Sequence, residues 1–176
     1  MQKKANWHRP LRQFHYWASA VVLITAPVVI GSGILLQLKK QLTWVQPPTQ
    51  KGSTDSLSIS FDSILKTATT VAEAEITTWA DIDRLDVRPG KGVVKIRANN
   101  RWEIQLDSAT GEILQSTYRR SDLIESIHDG SFFHDNLKLG LFLPSAIILL
   151  LLWLSGTYLF LKPLTKKLAK PKKASI

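Results

Sequence analysis

The chain has 176 residues, of which 44% are hydrophobic, and a formal charge of +9. Residues 1–40 carry six Lys or Arg, residues 162–176 carry six more, and neither segment contains an acid, so all 14 acids lie in the middle of the chain. The positive charge therefore belongs to the two tails, which argues against a basic nucleic-acid-binding domain. The absence of cysteine excludes disulfides, thiolate metal sites and a cysteine nucleophile.

Two long runs are free of charged residues, Gln13 to Leu38 and Leu139 to Leu161. Each is long enough to cross roughly 30 Å of hydrocarbon as a helix. The sequence therefore predicts two transmembrane helices, at residues 17–38 and 139–161. The first is expected to be a retained anchor rather than a cleaved signal peptide, because its apolar run is long and no clear cleavage site follows.

The basic tails predict the orientation of these helices. Under the positive-inside rule, the basic segment 1–16 and the basic tail 162–176 lie in the cytoplasm. The central region then lies outside a bacterial inner (plasma) membrane, in the periplasm or the extracellular space. Lys39 and Lys40 oppose this rule, because they fall at the outer end of the first helix.

Residues 39–56 form the predicted linker, since QPPTQKGSTDS combines prolines, glycine and small polar residues. A folded domain is predicted over residues 57–120. It begins with a short amphipathic helix that carries Ile64, Leu65 and Ala68, with Ser60 as its N-cap.

Alternating apolar residues after this helix predict strands, and turns are expected at PGKG (89–92), at residues 99–100 and at residues 107–111. The predicted fold is α+β, with one helix on an antiparallel sheet of three or four strands. One sheet face is expected under the helix and the other in water. Trp102, Ile104 and Leu106 are predicted to face the helix, with Trp102 the largest core residue.

Residues 121–138 return to helical spacing and break at Gly130, which predicts an interfacial helix leading back to the membrane. The two spans are expected to pack as a hairpin through small residues. Gly156 is the predicted inner contact, and Gly31 or Gly33 the outer one. Residues 149–152 are then expected to contact, in part, lipid or a partner subunit.

The segment LDSATGEIL (106–114) resembles the last hairpin of the PepSY domain. The stretch from Arg119 to Leu161 is similar to the PepSY-associated transmembrane helix, with its His-containing turn and late S-G pair. Together they cover residues 57–162. The resemblance implies a domain without chemistry of its own, which binds or regulates a protease or a membrane complex. Larger relatives include siderophore-iron or flavin reductases with haem-ligating histidines.

The histidines His8, His15, His128 and His134 are the only residues considered for haem. In the predicted topology His15 lies at the inner face of the membrane, and His128 and His134 lie at the outer face. Histidines from both faces of one chain therefore cannot ligate a single haem. Polar or headgroup contacts are the preferred interpretation. Haem ligation between chains by His15, His128 or His134 remains open.

No catalytic residue, metal site or cofactor is predicted. The acids Asp81, Asp83 and Asp86 lack the spacing of a calcium loop, and His128-Asp129 and His134-Asp135 are adjacent pairs that point apart on a helix. The leading hypothesis is a non-enzymatic protein that contacts membrane lipids and binds a protein partner through an exposed strand edge or sheet face. The alternative is a small subunit of a membrane electron-transfer system.

Overall fold

The computed structural model describes the backbone of residues 8–168, without the side chains of His8 and residues 164–168. The predicted segment 1–16 and tail 162–176 therefore lie partly outside the described residues. The chain divides into one unit of residues 1–31 and 127–176 and a second of residues 32–126. The helices are α1 (His8–Val21), α2 (Thr25–Gln37), α3 (Phe61–Ala68), α4 (Arg120–Asp129), α5 (Asp135–Leu137) and α6 (Leu143–Leu168).

One helical stretch among the described residues, Asp135–Pro163, is long and apolar enough to cross a membrane. It contains α5, a π-helical turn at Lys138–Phe142 and most of α6. A second crossing is available only if α1 and α2 act together as one broken span.

The sequence predicts one continuous helix over residues 17–38. The structure instead divides this apolar run into α1 and α2. The run bends by 68° between α1 and α2. Pro27 explains the position of the break, because it has no N–H to donate to the carbonyl of Leu23 and its ring crowds that carbonyl. Pro27 itself lies in the first turn of α2, where a missing N–H costs little.

Helix α1 packs against α6 within the first unit. Ala18 and Val22 form a buried cluster with Leu152, and Leu149 packs against it. Of residues 149–152, which the sequence leaves partly to lipid or to a partner, Leu150 and Leu151 are exposed and Leu152 is buried. Gly156 lies near α1, since a Cβ there would be 3.7 Å from a ring carbon of His15, but this neighbour is not one of the small residues that the sequence predicts.

Gly31 does not make the predicted close contact, because nothing lies within 4 Å of the position its Cβ would take. Gly130 ends α4, as the sequence predicted. Its φ of 83° is in the left-handed region that favours glycine, and the ring of Phe142 lies where a Cβ would point. A side chain at this position would therefore meet both strain and a clash.

The second unit contains a four-stranded antiparallel sheet in the order β1-β2-β3-β4. Its strands are β1 (Ile82–Arg88), β2 (Val93–Ala98), β3 (Trp102–Asp107) and β4 (Ile113–Tyr118). Short 3₁₀ turns lie at Ala72–Ala74, Trp79–Asp81 and Pro89–Lys91. The α+β architecture and the predicted turns are confirmed.

Helix α3 covers one face of this sheet. Ser60 is its N-cap, since its hydroxyl accepts the N–H of Ser63 at 3.2 Å. Ile64 and Ala68 on the helix share one buried cluster with Ile104 and other sheet residues. Burial of such side chains stabilises a domain by about 1.5–3 kcal/mol each.

Trp102 is only partly buried at the margin of this core, so the prediction that it is the largest core residue is wrong. Its indole Nε1 donates to Ser116 Oγ at 2.6 Å, and its ring lies against Tyr118. The side chain remains at the margin because its polar N–H has found a partner there. Ile96, Ile104 and Leu106 are the fully buried apolar residues of the sheet centre.

Candidate functional site

The second face of the sheet is not in water, which corrects the sequence prediction. Lys95 on β2 and Glu103 and Gln105 on β3 point to this face and are 0–1% exposed. Charged side chains are almost never so deeply buried unless they are paired. The alternation of apolar and polar residues along β2 and β3 correctly indicates which side chains share a face. It does not indicate that both faces are covered.

Glu103 is the centre of the ionic network on this face. One carboxylate oxygen accepts from Lys95 Nζ at 3.0 Å, and the other accepts from Arg119 Nη1 at 2.7 Å. Arg119 also donates from Nε to Asp122 on α4 at 2.7 Å. Arg97 lies 3.8 Å from both Glu103 and Asp122. The network thus connects the sheet to the first turn of α4.

Burial and pairing act in opposite directions on the cations of this network. Burial lowers the pKa of Lys95, and the attraction of Glu103 only partly offsets it. Burial also opposes the charge of Arg119, but its hydrogen bond to Asp122 and the nearby carboxylates outweigh burial and raise its pKa. Removal of a carboxylate would therefore leave buried cations without compensation.

The predicted linker is docked on this face rather than extended in solvent. Gln105 Nε2 donates to the carbonyl of Pro48 at 2.9 Å, and its Oε1 accepts the N–H of Gln50 at 2.8 Å. Ser53 N–H donates to the Asp107 carboxylate at 2.6 Å. The backbone of residues 48–53 thus adds hydrogen-bond partners to Gln105, which also bonds to Glu103 and Gln115, and to Asp107, which also accepts from Ala109 and Thr110. We call residues 46–53 the cover segment.

Since both sheet faces are covered, the strand edges are the remaining candidates for partner binding. Strand β1 has charged side chains at Asp83, Arg84, Asp86 and Arg88, and its pairing with β2 has an irregularity near Ile82. Charges and bulges are the usual protection of an edge against strand pairing.

Strand β4 has the opposite character. Its sequence ILQSTY contains no charged residue, and Ile113 is exposed. Arg119 N–H donates to the Arg101 carbonyl at 3.0 Å, which makes that pair a hydrogen-bonded one. Because bonded and non-bonded pairs alternate in an antiparallel ladder, the N–H groups of Ser116 and Tyr118 point away from β3. This edge presents backbone groups to another strand, and a charge lies over it only at its end, where the Arg120 guanidinium is 5.7 Å from the centre of the Tyr118 ring.

The candidate haem histidines do not converge in the first unit. His15 Nδ1 lies 3.2 Å from Ser155 Oγ on α6, whereas His134 caps α5 by accepting the N–H of Asn136. About 21 helical residues separate His134 from Ser155, a rise of roughly 30 Å. His15 and His134 therefore lie too far apart to share one iron.

His128 lies beside Asp129 and Lys138 in a cleft of about 270 Å³. The carboxylate of Asp129 pairs with Lys138 Nζ at 2.6 Å and accepts from Ser131. Burial opposes the charge of Asp129, but these hydrogen bonds prevail and lower its pKa to about 2. Asp129, the last residue of α4, therefore forms a local ion pair with Lys138.

The acids near β1 also have structural partners. Asp81 accepts from Thr77 and Thr78, whose hydrogen bonds lower its pKa to about 2, and Asp86 pairs with Arg88 at 2.7 Å. Among residues 8–168, no group of three or more His, Asp or Glu is arranged to hold a metal ion.

Sequence reasoning missed the residues that close the polar face, above all Glu103 and Arg119. A usable signal was present, because the register places Arg97 opposite Glu103 and Lys95 opposite Gln105. Such complementary cross-strand pairs occur on solvated faces as well, so they could not by themselves indicate burial.

No protein-family model matches this chain. No curated protein and no solved structure matches it either. Its function must therefore follow from the geometry of its own residues.

Proposed function

We propose that this chain is a membrane-anchored, non-catalytic protein whose PepSY-like domain binds a protein partner by strand addition at β4. The observation that carries the proposal is the contrast between the two sheet edges. Strand β1 is charged and irregular, whereas β4 is uncharged and directs the N–H groups of Ser116 and Tyr118 away from β3. In strand addition the main chain supplies affinity, and neighbouring side chains supply specificity.

The exposed apolar surface of α6 supports the membrane anchor. Large apolar side chains are exposed from Leu143 to Leu161, among them Ile147, Leu150, Trp153 and Phe160. A helix that is apolar on all sides requires either a protein core or lipid around it. We infer that α6 spans the membrane and that α1 with α2 forms the other arm of a bent hairpin.

The charge distribution supports an orientation with both tails in the cytoplasm and the domain outside. This can be tested by fusing a cytoplasm-restricted fluorescent reporter to Ile176 and a periplasm-restricted phosphatase after Gly111. Both fusions should be active. An active phosphatase at the C-terminal position would overturn the orientation.

The strand-addition proposal is tested with Ser116→Pro and its matched control Ser116→Ala. Both variants lose the hydroxyl that accepts from Trp102, but only proline removes the outward N–H. A photoreactive amino acid at Ile113 in the full chain, in its native membrane, should crosslink to one partner protein in the wild type and in Ser116→Ala. This crosslink should disappear in Ser116→Pro.

Equal thermal midpoints of the two variants would show that the sheet is intact. A second probe at Val87, which is exposed on β1, measures nonspecific proximity. Crosslinking that survives Ser116→Pro, or that is equally efficient from Val87, would contradict the β4 proposal.

A further inference from the structure

A polar cleft of about 510 Å³ opens in the second unit beside the cover segment. Its lining contains five cationic side chains and no acidic one: Lys39, Lys40, Arg88, Lys91 and Arg119. A concave site lined by charges of one sign concentrates the field and attracts counter-ions. Its volume lies within the range of small-molecule sites.

The two arginines of the cleft are fixed in place by carboxylates outside it. Asp86 accepts from Arg88 at 2.7 and 2.9 Å, and Glu103 and Asp122 hold Arg119. Fixed guanidinium groups suit the oxygens of a phosphate, because their donors are already oriented.

The three lysines make no ion pair with the side chains described in residues 9–163, so those residues do not neutralise their charges. Lys39 and Lys40 follow the end of α2 and are the two residues that oppose the positive-inside rule. A role in an anion site gives these lysines a reason to occur on the outer side.

Gln46 lines the same cleft, and its Oε1 is buried without a hydrogen-bond partner in the described part of the chain. Buried polar atoms normally have a partner. Because this oxygen is almost inaccessible, the charge of the cleft rather than the Gln46 amide indicates what the site binds.

We propose that this cleft binds a phosphate ester. The same chemistry occurs in a glycerophospholipid headgroup and in a soluble sugar or glycerol phosphate. The site is separate from the β4 edge, so the two proposals can fail independently.

The test measures calorimetric binding to the full chain in a phosphate-free maltoside detergent. The probes are inorganic phosphate, glycerol 3-phosphate and short-chain phosphatidylglycerol. The variant Lys39→Gln/Lys40→Gln/Lys91→Gln removes the unpaired charges of the cleft. The control Lys51→Gln/Lys66→Gln/Arg84→Gln removes the same charge from exposed positions outside its lining.

We expect the cleft variant to bind the probe about tenfold or more weakly than the wild type does. The control variant should lose less than about twofold in affinity. Lysine-dependent binding of glycerol 3-phosphate would identify a soluble ester as the ligand, and binding of phosphatidylglycerol alone would identify a lipid headgroup. Failure of every probe to bind, or equal weakening by both variants, would overturn the proposal.

Discussion

The two faces of the sheet are buried to the same degree by different means. On one face, Ile96 and Ile104 are fully buried under α3 by apolar packing. On the other, Lys95 and Glu103 are equally inaccessible, but ion pairs and the cover segment close the face. The comparison teaches that alternation along a strand reveals two faces without revealing which of them reaches solvent.

These faces should respond differently to substitution. Apolar packing loses stability in proportion to the volume removed, and the surroundings can partly relax. A buried ionic network fails more sharply, because the partners of a lost charge remain charged in a site without water.

The largest effect is expected from Glu103→Gln, which leaves Lys95 and Arg119 without their shared carboxylate. Loss of one partner from a buried pair typically costs about 3–5 kcal/mol. Urea unfolding of the full chain in detergent, followed by tryptophan fluorescence, measures this loss. Glu112→Gln on the exposed turn is the control and should change stability by less than about 0.5 kcal/mol. A cost below about 1 kcal/mol for Glu103→Gln would mean that water reaches the polar face.

On the apolar face, Ile104→Ala should cost about 2–5 kcal/mol, since it leaves a cavity under α3. The same unfolding assay applies. The ion pair between Lys95 and Glu103 should remain in this variant. Binding of the β4 partner should also persist at temperatures where the domain is folded. A negligible loss of stability would show that α3 does not close this face.

The docking of the cover segment is tested by Gly52→Ala. A Cβ at Gly52 would collide with the carbonyl of Gly92 at the turn between β1 and β2. Overpacking of this kind costs about 1–3 kcal/mol, and the segment should become open to limited proteolysis. Gly90→Ala is the matched control, because nothing lies within 4 Å of its added Cβ. Equal proteolysis of the two variants would refute the docked arrangement.

The smallest effect concerns the pH dependence contributed by Asp107. Hydrogen bonds from the N–H groups of Ser53, Thr110 and Ala109 lower its pKa well below the ordinary range. A carboxyl group with a lowered folded-state pKa stabilises the fold above its unfolded pKa near 4, and this contribution disappears as pH falls toward the folded value.

Asp107→Asn should therefore be destabilising at pH 7, and its difference from the wild type should shrink between about pH 4 and pH 2. Thermal unfolding over this range measures the difference. Asp55→Asn, at an exposed position, serves as the control. A difference that stays constant with pH would show that the Asp107 carboxylate does not hold Ser53.

The sequence allowed prediction of the features that depend on local chemistry. The Ser60 cap, the turns that contain Gly92 and Gly111, and an antiparallel sheet of three or four strands all follow from short-range rules. The apolar character of α6 also follows directly from composition.

Features that depend on tertiary partners could not be predicted in the same way. The cover segment has a linker's composition, and its docking is explained by tertiary partners, namely the amide of Gln105, the carboxylate of Asp107 and the carbonyl of Lys91. The alternation of Trp102 with Ile104 and Leu106 predicts a core position, but the indole N–H keeps Trp102 at the margin of the core. Pro27 is a local signal for the bend that lies near it. Because proline is tolerated in membrane helices, this signal is ambiguous in the sequence alone.

Hydrogen exchange of the cover segment, measured by mass spectrometry on the full chain in detergent, tests the central claim most directly. The N–H groups of Gln50, Gly52 and Ser53 donate to Gln105, Lys91 and Asp107, respectively. These amides should exchange as slowly as those of the neighbouring strands and should become fast in Glu103→Gln or Gly52→Ala. Exchange in the wild type at the rate of an unstructured peptide would contradict the claim that this segment closes the polar face of the sheet.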